Sequence, residues 1–174
     1  MKRFLLFLVA LASFAGTTTA VAQRIALIDM EYILKHLPAY ERANEQLNQS
    51  SKLWQSEVEA LSAKAKTLYT NYQNEMAFLS QSQKKEREQA ILDTEKQASE
   101  LKMKYFGPQG ELYKKRESLI RPIQDDVYNA VKAVADTQRI QLVLDRASET
   151  AGIIFASPAM DISADVLNKL GYRN

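Results

Sequence analysis

Histidine occurs once in the 174 residues, at His36, and cysteine does not occur. His36 falls in a short polar turn before Pro38, with no second histidine to complete a metal site, so a surface position is expected. Without Cys there is no disulfide framework, no thiol chemistry and no cysteine zinc site. Asp125 and Asp126 are neighbours on a helical stretch and point in different directions, whereas paired acid–base carboxylates need a shared pocket. No G-x-S-x-G, H-E-x-x-H or phosphate-loop pattern occurs, and five glycines are too few to build a phosphate cradle. The expectation is a protein that is not an enzyme, with no metal and no cofactor.

Non-covalent chemistry is better supplied. Tyr69, Tyr72, Met76, Phe78, Leu79, Tyr105 and Phe106 are bulky and adaptable, and they are expected in the half of a helical hairpin farther from its base. A two-helix hairpin buries one stripe per helix. Tyr72, Leu79 and Tyr105 fit that stripe, while Phe78 and Phe106 lie off it and are expected to meet a non-polar partner.

The element that must carry these side chains lies between Pro38 and Gly107, sixty-eight residues with neither Gly nor Pro. Leu47, Trp54, Leu61 and Leu68 form one apolar series and Val58, Ala65, Tyr72 and Leu79 an interleaved one, which is the 3.5-residue period of a coiled-coil seam. As one straight helix the stretch would extend about 100 Å, and its narrow seam would need a covering partner. The same chain folded back is the simplest one, with the reversal at Leu79–Gln83, where Ser80 and Gln83 have capping-box spacing. Ile91, Ala98, Leu101 and Tyr105 then face inward on the return limb. Gly107, Pro108 and Gly110 interrupt that limb and are expected to act as a hinge. Pro122 is expected to kink the resumed helix near Ser118 or to restart it.

The flanks of the arm read as an α+β base. Arg24–Asp29 has the pattern of a buried strand, with Asp29 capping a short helix over 30–37. Ile140–Asp145 reads as a second strand, and Ile153–Ala156 as a third in hairpin with it. Ser163 is placed to cap a closing helix that ends before Gly171. The expected organisation is a signal peptide over 1–22, a β-rich oligomerisation base from 23–38 and 138–174, and a hairpin arm over 39–137. So small a base hides too little apolar surface alone. Ile25, Leu27, Ile140, Leu142, Leu144, Ile154 and Phe155 are therefore expected to join subunits.

The signal-peptide reading rests on Lys2 and Arg3, the apolar run Phe4–Phe14 and the small-residue site Ala20-Val21-Ala22. Removing Lys2 and Arg3 from the 23 basic residues leaves 21 against 21 acidic ones, so bulk charge indicates neither a nucleic-acid nor an anionic-membrane partner. Downstream of the signal no run reaches the length of a membrane helix.

The order of these pieces resembles the Skp/OmpH family of periplasmic chaperones over the whole mature chain. The matching pieces are RIALIDMEYIL, Pro38-Ala39-Tyr40 before the long helix, GPQGELYKKRESLIRPIQDDVYNAVKAVA leading into QLVLD, and DISADVLNKLG. The GPxGELxKKR return limb is similar to a Bacteroidetes-like branch. The resemblance implies a periplasmic homotrimer whose arms project around a cavity and hold unfolded outer-membrane proteins without ATP. Well-known members are strongly basic, unlike this chain, so no lipopolysaccharide-binding residues are carried over. A structural adaptor of an envelope complex, also a coiled-coil hairpin within a β-rich base, is the alternative, but that class normally has further β domains.

Overall fold

A computed structural model describes residues 23–172. The expected signal peptide lies outside the described residues. Strand β1, Ile25–Ile28, leads into the short helix α1, Met30–Lys35. Helix α2, Pro38–Glu75, forms the outgoing limb of the arm. Helices α3, Gln81–Phe106, and α4, Glu111–Gln138, form the return limb. Strand β2, Leu142–Asp145, and the closing helix α5, Ser163–Lys169, complete the base.

Local chemistry explains these boundaries. Pro38 enters α2 in its first turn, where the missing N–H removes no helical bond. At the tip Ser80 and Gln83 form a reciprocal capping box: Gln83 N–H donates to Ser80 Oγ (3.3 Å) and Ser80 N–H to Gln83 Oε1 (2.9 Å). Pro122 does not restart the helix, because α4 is one helix from Glu111 to Gln138 with Pro122 inside it. The lost hydrogen bond is outweighed there by burial on either side of the next turn, at Ile123 and Val127. Helix α4 ends at Arg139, which takes a left-handed conformation (φ 56°) while Ile140 N–H donates back to Ala135 C=O (2.9 Å).

The sheet is smaller than expected. β1 and β2 run parallel, with Ile25 opposite Leu142 and Leu27 opposite Leu144, so the whole arm is the crossover between them. The expected third strand is absent: among the described residues Ile153–Ala156 belongs to no strand, and it makes no hairpin with β2. The other edge of β1 is taken by Asp161, bridged to Leu27, with Ile162 N–H on Leu27 C=O (2.9 Å). The outer edge of β2 stays open among the described residues, and 153–156 does not add to it.

The core joins both chain ends to the lower half of α4. Ala26, Ile28, Ile33, Leu34 and Leu37 pack with Ile123, Val127, Ala130 and Val134, and Ile162, Val166 and Leu167 close the cluster. It therefore reaches beyond the terminal segments expected to make the base. Polar bonds tie the ends together. Asp29 Oδ1 caps α1 at Tyr32 N–H (2.8 Å), and Asp29 N–H donates to Ser163 Oγ (2.8 Å). Ser163 is thus the first residue of α5 rather than its cap; its hydroxyl serves Asp29 and its own N–H donates to Asp161 Oδ1 (2.8 Å). Arg146 bridges Asp29 (3.2 Å) and Asp161 (3.1 Å).

Candidate functional site

The seam of the arm is thin. Leu47, Val58 and Ala65 of α2 and Ile91, Thr94 and Ala98 of α3 are buried, with Trp54, Leu61, Leu68 and Tyr72 half-buried between them. Polar rungs cross it. Tyr72 Oη donates to Glu88, Arg87 pairs with Glu75 at 3.4 Å, and Tyr105 Oη donates to Glu57 Oε2 at 2.5 Å. These carboxylate bonds hold both phenols above the ordinary tyrosine pKa, because the protonated hydroxyl is the hydrogen-bond donor.

Of the aromatic and Met side chains singled out by sequence, three are exposed, two of them at the tip and Tyr69 further down α2. Phe78 is 89 % exposed, and Tyr69 and Met76 are also exposed. Tyr72 and Leu79 are half-buried at the seam, Leu79 beside Leu68 and Ala90. Tyr105 is half-buried at the seam as its stripe position implies, whereas Phe106 departs from the expectation in being half-buried too, and both lie far from the tip. Tyr105 stacks on Trp54 with centroids 5.0 Å apart and planes 10° from parallel, and Phe106 meets Tyr105 edge-on at 6.4 Å. The reason is length: the 26 residues of α3 carry the chain about 39 Å from the tip before the break, against about 57 Å for the 38 residues of α2, so the break lies nearer the base than the tip.

Sequence reasoning passed over other exposed apolar side chains on the arm: Leu53, Leu92, Met103, Tyr113 and Tyr128. The signal was available for Leu92 and Met103, which lie off the line through Ile91, Ala98 and Tyr105. An open groove of about 500 Å³ between α2 and α3 is lined by Val58, Ser62, Ala65, Tyr69, Ala98 and Ser99. Small side chains at facing positions leave this space.

In the base, Ile25 and Leu142 are exposed register partners, while Ile154 and Phe155 project fully into solvent. Leu144 is half-buried. Leu27 presents no free surface, being 3 % exposed within its own chain, and Ile140 packs partly against the core.

At the break, Gly107 and Gly110 have ordinary extended conformations (φ −63° and −70°) that any residue adopts. Glycine is required there by close approach. A Cβ would lie 2.4 Å from Met103 C=O at Gly107 and 2.7 Å from Tyr105 C=O at Gly110. Replacing them with alanine would therefore distort the turn.

His36 is exposed, with Nδ1 2.8 Å from Tyr32 C=O. Among the described residues no cluster of His, Cys, Asp or Glu could hold a metal ion, and no helix is long and apolar enough to cross a membrane.

No curated protein matches the chain in sequence. The fold is similar to that of a crystallised OmpH-like protein from Caulobacter crescentus, with a TM-score of 0.68 and 13 % identity over 90 % of this chain and 89 % of that one. The sequence pattern of the outer membrane protein (OmpH-like) family matches residues 24–170, and the chain belongs to that family.

Proposed function

We propose that the protein is an ATP-independent periplasmic holdase that binds unfolded outer-membrane proteins between helical arms and prevents their aggregation before membrane insertion. The observation that carries this reading is Phe78, a large apolar ring left 89 % exposed at the tip of a solvated rod, with exposed Met76 two residues before it and exposed Tyr69 further down α2 beside the groove. Apolar side chains kept out of the core offer many weak contacts to an unfolded, non-polar chain, and such contacts need no net charge. The family agrees with this, and the similar Caulobacter protein is described as a candidate outer membrane chaperone. Export by the segment 1–22 would deliver the chain to the periplasm.

Association through the base into a homotrimer belongs to the same proposal. Ile25, Leu142, Ile154 and Phe155 form apolar surface that the subunit leaves uncovered. The segment 153–156 lies outside the sheet and the outer edge of β2 is open, so either could pair with a strand from a second copy. The test is to dilute an unfolded outer-membrane β-barrel protein out of urea with and without the purified mature chain. Suppressed light scattering at one oligomer per client is expected; aggregation at the unassisted rate would defeat the proposal.

A further inference from the structure

Helix α2 passes the level of the Gly107–Gly110 break without interruption, so the arm cannot fold at that break as a free joint. Bending it requires α2 to curve and the return limb to change length. For helices about 10 Å apart, a bend of about 10° shifts one limb along the other by about 1.7 Å, close to the rise of one residue. In the return limb the four-residue break, which lies outside both helices, is the place that can take up such a shift, by opening its close-packed turn. Lever length then magnifies the bend: about 39 Å of arm beyond the break would move the tip by about 7 Å.

The sliding is opposed at one place. Two residues before Gly107, the Tyr105 ring lies flat on Trp54 of α2, and its hydroxyl donates to Glu57 one turn further along the same helix. On the far side of the break, Lys115 of α4 places Nζ 6.0 Å from the Trp54 ring. One tryptophan thus receives contacts from both pieces of the return limb, and Tyr105 is held by its face and by its hydroxyl at once. A slip of one residue's rise would strain both contacts at once.

We propose that Trp54, Tyr105 and Glu57 form a latch that blocks sliding of α3 along α2, and that the arm bends, with the Gly107–Gly110 break taking up the slack, only when this latch opens. That bending would widen the range of client sizes is a consequence resting on the holdase reading. The latch itself is tested on the protein alone, so the two ideas fail separately.

Amide hydrogen exchange on the mature chain without client is the experiment. Tyr105→Ala is expected to speed exchange about tenfold in residues 101–106 and 112–116, the scale of a lost aromatic pair, and to leave residues 84–95 near the tip unchanged. Tyr105→Phe keeps the ring and should give a smaller local rise. Trp54 is the sole tryptophan, so acrylamide quenching of its fluorescence in Tyr105→Phe reads the latch directly and should increase. An even rise along the whole arm would show ordinary seam packing, and no rise at 101–106 would show that nothing is held there; either result overturns the latch.

Discussion

At the base, Ile33, Val127 and Val166 have no exposed surface and come from three helices distant in sequence, whereas at the tip Phe78 keeps most of its ring in water. The base gathers apolar side chains from several directions into one cluster, while the arm has only a single seam between two helices. Cohesion is therefore concentrated at one end, and the other end keeps non-polar surface available at the expense of local stability.

That contrast is most severely tested by deleting core volume. Ile33→Ala should cost about 2–5 kcal/mol in urea unfolding, as for other fully buried aliphatics, while Leu61→Ala in the half-buried seam should cost clearly less. Equal losses would mean that the arm is as well packed as the base. Next in size is association. Leu142→Asp places a charge on the exposed sheet face and should yield monomers by light scattering with helicity retained, since the core packs on the opposite face. A variant of unchanged mass would move the subunit contact elsewhere.

A third comparison lies within the arm. Phe78→Ser should reduce client protection severalfold and leave the circular dichroism unaltered, whereas Phe106→Ser should lower thermal stability, because Phe106 is half-buried against Tyr105. The reverse pattern would exchange their roles. The smallest effect concerns pH. The folded pKa values of Tyr72 and Tyr105 are raised above 10.0 by their bonds to Glu88 and Glu57, so the folded arm holds these protons more tightly than the unfolded chain. Their contribution is complete below the ordinary tyrosine pKa and is lost as pH rises through the raised values. Helicity of the arm should therefore weaken in that alkaline window, and Tyr72→Phe with Tyr105→Phe should flatten the response.

The arm was legible because its determinants are local. The 3.5-residue period names the seam, and Ser80 with Gln83 marks the reversal within four residues. Glycine and proline at 107–110 likewise announce the break between α3 and α4. The base was less legible because pairing is non-local. The apolar run at 153–156 has the composition of a strand but does not fix an edge for it, and nothing in Leu142–Asp145 specifies parallel pairing with Ile25–Ile28. Ile123, Val127, Ala130 and Val134 have a helical period whether they face an arm partner or a base core. Their assignment depends on what covers them. Tyr105 was misplaced for a related reason: its heptad position was right, but its height along the arm follows from the lengths of both limbs.

The parallel pairing of β1 with β2 also imposes an order on assembly. Arg146 reaches Asp29 across 117 positions of sequence, and the first strand can find its partner only after nearly the whole chain has been delivered. A random coil would meet a large closure entropy and a slow search for that contact. The helical hairpin provides a shorter route. Once the turn at Ser80 nucleates and the two limbs zip downward, Leu37 and Gln138 are carried to the same end, and the search collapses to a few connecting residues on each side. The arm is thus also the device by which the two ends of its own chain are brought together.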